Sequence, residues 1–482
     1  MRVIVVGGGL AGLVGALRLA QQGCAVTVLD AAREVGGKLA LRAPGLEEFG
    51  ADLELDVGAE SMIARRPEAV RLVAELGLAE QLVHPGPARP LIASRGALYP
   101  LPAGTLMGVP VDRRSVANLR GLLTDAEVAR VEAEPTVPVR PVDPALADVA
   151  VGGWVAHRFG RAVVDRLTEP LLGGVYAGHA DELSMRMAVP QLWPRAAAAE
   201  TVLDGPPLTP PPAPDAPPVF AGLRGGVGTL VRALLAALAA AGATVRTGVT
   251  VRALTPGPEG WALETGPAPA PEVLRADAVL LAVPAPAAAK LLAAAAPAAA
   301  DELAGLRTAS VAVISTLIPA AQLPGLSGSQ AASGLLVPPV EERLIKAATF
   351  SSVKWPWLRD RLAAHELHAV RLSVGRVGEE RSLQRGDPDL TAAALADLGD
   401  VLGVPAPEPV WSTVVRWGGS LPQYEPGHLA RAAAVRAAVR AVPGLAVAGA
   451  ALDGVGLPAV IGSAERAVTD LLATAGAGPV ST

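Results

Sequence analysis

The chain has a single cysteine, Cys24, in 482 residues. One thiol excludes an internal disulfide and any multi-cysteine zinc or iron–sulfur centre. It fits a reducing compartment, and Cys24 is expected only to pack. Basic charge is not in excess: 41 Lys and Arg face 46 Asp and Glu, a net charge of -5 that repels phosphate backbones rather than gathering them. Nucleic acid is therefore excluded as a partner. No apolar run reaches the roughly 18 uncharged residues of a membrane span; Lys290 and Asp301 bracket the alanine-rich residues 291–300. Glycines interrupt the first apolar run, residues 3–17, and argue against a secretory signal. Aromatics make up only 3%, so the positive mean hydropathy of +0.39 reflects alanine and is weak evidence for membrane contact. The six histidines form no HExxH motif, and no convincing Ser/His/Asp triad or reactive cysteine is present. No metal site is expected.

What is present is core-forming material. Half of the residues are hydrophobic (51%), and the length exceeds one ordinary core, so two or three domains of roughly 100 to 200 residues are expected. Residues 2–6 are β-branched and read as a strand, 7–12 as a glycine turn, 13–22 as a helix ended by Gly23, and 25–29 as a second buried strand. The pattern returns near the end, with a strand at 445–448, a glycine-rich loop at 449–458 and a helix at 459–472. Between them, a helix at 230–241 and strands at 244–247 and 278–283 look like parts of the same sheet. The proline-dense stretch 204–218 (DGPPLTPPPAPDAPP) reads as an exposed loop of polyproline character, and 135–144 resembles it.

Gly7, Gly8, Gly9, Leu10, Ala11 and Gly12 lie between a predicted strand and a helix, and Asp30 ends the next strand. Gly7 allows the tight turn, Gly9 lets backbone approach a pyrophosphate, and Gly12 permits close helix–strand packing; the helix N-terminus attracts the anion and Asp30 accepts from a ribose. The alternative is a glycine turn without a ligand, against which strand, helix and acid in register weigh together. NAD and FAD share this framework. Asp30, Ala31 and the following residues up to Gly36, Gly37 and Lys38 (DAAREVGGK) resemble the extended fingerprint of FAD enzymes of the amine-oxidase and protoporphyrinogen-oxidase superfamily. Residues 449–460 (GAALDGVGLPAV) suit the other end of a flavin, where backbone N–H groups of a helix N-terminus can face the N1/O2 edge.

Further blocks make the resemblance specific. Residues 56–67 (DVGAESMIARRP), 169–178 (EPLLGGVYAG), 222–226 (GLRGG), and LPQY at 421–424 with Gly427 and His428 are similar to the signature blocks of oxygen-dependent protoporphyrinogen and coproporphyrinogen III oxidases. GAESMIARRPE and PLLGGVYAG look closer to the bacterial coproporphyrinogen III oxidases. The tract 113–151 and the proline-rich loop match no block of the family. The resemblance implies an α/β fold, α+β overall: a Rossmann-like FAD-binding domain from residues 1–80, 220–290 and 420–482, a mixed-sheet substrate domain from 81–104 and 291–419, and a mainly helical insertion at 105–205. It also implies that Gly58, Ala59, Glu60, Ser61, Lys38, Val251, Trp417, Gly449, Val455, Gly456 and Leu457 join the first glycine loop in holding FAD non-covalently, and that Leu171, Gly174, Val175 and Tyr176 line the macrocycle pocket. Two departures stand out: the ribose acid is Asp30 where most relatives have Glu, and Ala459 replaces the acid usual after the proline. Asp keeps the acceptor, so only the second leaves a detail of the flavin site open.

The activity implied is oxidation of coproporphyrinogen III to coproporphyrin III in haem biosynthesis: six electrons leave in three hydride transfers to flavin N5, and oxygen reoxidises the flavin with release of peroxide. The substrate's pyrroles drive the hydride out, so no strong protein base is needed and no catalytic side chain is assigned. Arg65 and Arg66 follow the turn at 58–61, and their forks match a substrate propionate; the alternative is a solvated pair opening a helix before Pro67. His428, Tyr424 and His179 read as structural rather than catalytic. Protoporphyrinogen IX is the alternative substrate, a flavin amine oxidase or carotenoid desaturase the alternative enzyme, and an FAD-stabilised partner protein the non-enzymatic reading. A cytoplasmic location is expected, with peripheral membrane contact and transient contact with a ferrochelatase left open.

Overall fold

A computed structural model describes residues 1–46, 53–138, 148–208, 218–328 and 330–475. Most of the two expected proline-rich loops, at 139–144 and 209–217, lies outside the described residues. The chain divides into two compact units, one of Met1–His84, Pro217–Arg307 and Leu429–Thr482, the other of Pro85–Ala216 and Thr308–His428.

The first unit is built on a five-stranded parallel sheet in the order Thr244–Arg246, Ala25–Leu29, Arg2–Val6, Ala278–Leu281, Leu445–Val447. All five strands fall on expected strand positions. A parallel sheet is covered on both faces, so its inner strands read as largely apolar stretches; the edge strand Thr244–Arg246 is not buried and does not. Val3, Val5 and Leu280 pack with the helices Leu10–Gln21, Thr229–Ala240 and Leu457–Ala475 in one core. Ile4, Val6, Val279 and Leu281 pack on the other face with Ala285–Leu292 and Pro297–Ala304. The strand first in sequence lies at the centre, with its successor on one side and Ala278–Leu281 on the other, so the strand order reverses beside it. Ligands of such sheets bind beyond the carboxyl ends of the strands at that reversal.

Several boundaries differ from expectation. Residues 420–428, expected in the FAD-binding domain, fall in the second unit, because Leu421 and Pro422 pair with Ala309 and Thr308 of that unit's sheet. The first helix starts at Leu10 rather than 13, with Gly9 as N-cap, because Leu10, Ala11 and Gly12 are themselves buried against the sheet. The late loop contains a helical turn, Ala450–Asp453, and the last helix starts at Leu457, with Pro458 in its first turn, where a missing N–H costs nothing. Residues 291–307 belong to the first unit, since Ala299, Ala300 and Leu303 pack in the same core as Val279. An alanine-rich segment carries no periodic signal that says which core it faces.

The second unit holds a seven-stranded mixed sheet in the order Trp411–Pro422, Thr308–Pro319, Leu367–Val374, Ile345–Phe350, Gly334–Leu336, Pro90–Ser94, Ala97–Pro100. Every pairing is antiparallel except that of Gly334–Leu336 with Pro90–Ser94. Short helices between Arg113 and Ala198 surround their own core, which includes Phe159, Leu167, Leu172 and Leu192.

Candidate functional site

At the carboxyl end of Arg2–Val6 the backbone turns at Gly7, whose φ of 105° favours glycine and where a Cβ would collide with the carbonyl of Ala282. Gly12 is required for a second reason: a Cβ there would run into the Gly7 carbonyl oxygen, so helix and turn can pack this closely only without one. Gly9 is different, with nothing within 4 Å of the place its Cβ would occupy. It caps a helix of twelve residues that has no side-chain cap and no acid in its first turn. Its first-turn N–H groups therefore stand as donors to an anion.

The second glycine pair closes on the first. Gly36 N–H donates to the Gly8 carbonyl at 2.7 Å, and a Cβ on Gly37 would lie 3.3 Å from the Gly9 Cα. Asp30 ties the two together: Oδ2 accepts the Gly8 N–H at 2.5 Å and Oδ1 the Ala32 N–H at 2.7 Å, with Ala31 exposed beside it. The 248–251 segment runs alongside, as Val249 N–H donates to the Asp30 carbonyl at 2.8 Å, and Val251 follows it, partly buried. Ala59 N–H donates to the Lys38 carbonyl at 2.8 Å, which brings Gly58, Ala59, Glu60 and Ser61 beside the glycine pair. Lys38 is exposed as a residue, yet protein crowds its ammonium, and this desolvation lowers its pKa from the ordinary lysine value.

On the same unit, Gly449 has φ 128° and nothing within 4 Å of its Cβ position, and its N–H donates to Ser463 Oγ at 3.0 Å. After the strand Leu445–Val447 and the helical turn Ala450–Asp453, the turn carrying Val455 and Gly456 leads into the helix that opens at Leu457, a second helix N-terminus of this unit. Asp453, two residues before Val455, is held by Arg436 at 2.6 Å and Arg466 at 2.7 Å.

Arg66 caps the helix Pro67–Glu75 through its backbone, and its Nη2 lies 2.5 Å from Glu68 Oε1; Arg65 is exposed beside it. In the second unit the helix Glu169–Tyr176 buries Leu172 and Gly173 and presents Gly174, Val175 (43% exposed), part of Leu171 and part of Tyr176. Trp417 also lies there, opposite Val311 in the seven-stranded sheet. Burial raises the Tyr176 phenol to about 12, so it stays a neutral donor. His428 and Tyr424 are buried with ring centroids 4.6 Å apart, and Tyr424 meets Tyr176 edge to face at 5.7 Å.

Residues 10–472 match the family described as flavin containing amine oxidoreductase. The chain belongs to that family. Among its relatives, a protein of Mycobacterium tuberculosis named coproporphyrinogen III oxidase is 39% identical over 97% of this chain and 96% of its own. One of the same name from Bacillus subtilis is 28% identical over 98% and 97%. A solved structure from Exiguobacterium sp. 255-15, provisionally named protoporphyrinogen oxidase, superposes with a TM-score of 0.81 at 30% identity, over 98% of each chain.

As a member of the flavin containing amine oxidoreductases, the chain has a flavin cofactor, and the residues present fit one: open space at Gly9, two helix N-termini, the Asp30 carboxylate at the first glycine loop and a crowded lysine. In this flavin oxidoreductase one residue of the cradle's support went unassigned in the sequence. Asp56 accepts the N–H groups of Val227 at 2.8 Å and Gly228 at 2.9 Å, fastening the 222–226 glycine block to the segment before Gly58. Its place at the head of the 56–67 block was the available signal. Among the described residues no group of three His, Cys, Asp or Glu side chains is arranged to hold a metal, and no helix is long and apolar enough to cross a membrane.

Proposed function

We propose that this chain is a coproporphyrinogen III oxidase that holds FAD non-covalently and uses dioxygen as acceptor, acting in the cytoplasm. Full-length likeness at 39% identity to proteins of that name carries the reading. When bound, FAD would supply the hydride acceptor for the macrocycle. The protein's part is to hold and orient: the loop of Gly7, Gly8, Gly9, Leu10, Ala11 and Gly12 brings backbone and the first-turn N–H groups of its helix to the pyrophosphate, Asp30 accepts from the adenosine ribose, and Gly449 leaves room at the flavin edge, to which Val455, Gly456 and Leu457 offer N–H groups. Gly58, Ala59, Glu60, Ser61, Gly37, Lys38 and Val251 complete the grip on this unit. Leu171, Gly174, Val175 and Tyr176 present an apolar face with one neutral hydroxyl, suited to the apolar body of a tetrapyrrole macrocycle. Arg65 and Arg66 supply cations for propionates.

The test is direct. Acid or heat should release intact FAD from the yellow protein, and porphyrin fluorescence should grow when coproporphyrinogen III is added in air. A second substrate, protoporphyrinogen IX, is favoured by the Exiguobacterium structure's name. A polar pocket built for propionates still admits vinyl groups, whereas an apolar one rejects carboxylates. Both substrates should therefore turn over, with kcat/KM higher for coproporphyrinogen III; a clear preference for protoporphyrinogen IX would replace the substrate and leave the flavin oxidase reading in place.

A further inference from the structure

One side chain that the proposed chemistry does not use braces both ends of the helix Glu169–Tyr176. His179 Nδ1 lies 2.8 Å from Glu169 Oε1, and its Nε2 lies 3.2 Å from the Val377 carbonyl oxygen. Glu169 opens the helix and is only 6% exposed; its other oxygen accepts the Ala180 N–H at 2.6 Å. Val377 N–H in turn donates at 2.9 Å to the carbonyl of Ala177, the left-handed residue (φ 51°) that closes the same helix. Gln423 Nε2 adds a bond to the Tyr176 carbonyl at 2.8 Å, an approach possible only because Gly178 has no Cβ.

A carboxylate and a peptide carbonyl are both acceptors. The imidazole can satisfy both only when each ring nitrogen carries a proton. A neutral ring must turn a lone pair toward one of them, giving up either Glu169 at the start of the helix or Val377, which holds its end. We propose that His179, as an imidazolium, is a positioning residue for substrate binding, holding Val175 and Tyr176 where the macrocycle meets this helix. This rests on the substrate reading above.

The surrounding charges agree. The Glu169 hydrogen bond raises the His179 pKa against the opposing effect of burial, and Glu182 acts in the same sense. Arg376 and Glu379, which pair at 3.4 Å, flank Val377 on the opposite segment. The folded-state pKa lies above the usual value, so the brace is complete at low pH and is lost as pH rises through that raised pKa.

The experiment measures KM and kcat for coproporphyrinogen III from about pH 6 to about pH 9.5 in the wild type, His179→Gln and Glu169→Gln, beside an NMR titration of His179 and the Val175 methyl groups. In the wild type KM should rise about tenfold across the titration, the scale of one charge-assisted hydrogen bond, with kcat changing much less. His179→Gln should sit on the high-KM plateau with a flat profile, and Glu169→Gln should move the inflection to lower pH. The Val175 methyls should titrate together with His179, a readout that needs neither substrate nor turnover. Val175 signals indifferent to His179 ionisation, or a His179→Gln profile identical to the wild type, would overturn the proposal. Absence of any porphyrinogen turnover in the wild type would sink the substrate reading instead, while the methyl titration still decides whether the brace operates.

Discussion

Asp30 and Gly8 are joined directly, the Asp30 carboxylate accepting the Gly8 N–H at 2.5 Å while its other oxygen accepts the Ala32 N–H at 2.7 Å. The acid proposed to meet the ribose thus also shapes the first glycine loop. Asp30→Ala leaves two N–H groups without this acceptor and should cost about 1 to 3 kcal/mol of stability. FAD content, read by absorbance after gel filtration, should fall as well. Asp30→Glu, which keeps the acceptor, should restore most of the cofactor; retention of full FAD by Asp30→Ala would remove Asp30 from the site.

Gly9 and Gly12 should fail differently although both belong to one motif. Gly12→Ala drives a methyl into the Gly7 carbonyl and should destabilise the protein by about 3 kcal/mol or more even without cofactor. Gly9 has φ -74° and ψ 179°, open to alanine, and no neighbour within 4 Å. Gly9→Ala should leave the apoprotein within about 1 kcal/mol of wild type and lose FAD affinity. Equal melting temperatures for the two apoproteins would contradict this division.

For Arg65 and Arg66 the expected signature is kinetic. Propionate binding changes little between ground and transition states, so the double alanine variant should raise KM about tenfold with a smaller effect on kcat. Part of any stability change belongs to Glu68, which Arg66 holds at 2.5 Å. Unchanged steady-state kinetics would assign both arginines to the solvated surface.

Lys346 sits at an irregularity in the strand Ile345–Phe350, where the register shifts between Ile345 and Ala347, and is 3% exposed. Burial, reinforced by Arg376 and opposed by Glu379, pushes its pKa from 10.5 down to about 7. Between those values the unfolded chain holds a proton that the folded protein lacks, so this group makes stability rise with pH. Lys346→Met should therefore stabilise by on the order of 3 kcal/mol at and below neutrality, a gain that shrinks toward pH 10. Denaturant unfolding at three pH values checks it; a gain independent of pH would mean that the lysine titrates normally in the folded state.

Much of the first unit was legible because its constraints are local. The strands Arg2–Val6, Ala25–Leu29 and Ala278–Leu281 are largely apolar runs since both faces of a parallel sheet are covered, and Gly7 and Gly12 announce a turn that side chains cannot make. The assignment of Pro297–Ala304 to the first core was not legible, because alanine packs equally well against either side of a chain reversal. The helix Glu169–Tyr176 was recognisable as a block, but not which of its faces is presented: Leu172 and Gly173 turn inward while Gly174 and Val175 turn outward.

By itself the sequence determined the first glycine turn, the strands beneath it and the family to which they belong, since backbone sign, side-chain period and motif spacing act between residues close along the chain. Tertiary structure alone decided that Asp56 clamps Val227 and Gly228, that His179 reaches Val377, and that Lys346 is buried near Arg376. The clamp and the reach join groups about 170 and 198 positions apart, and the burial of Lys346 depends on strands and helices brought in from elsewhere in the chain. Whether a polar group is paired or stranded depends on what the folded chain brings within hydrogen-bond reach, and no local pattern records that distance.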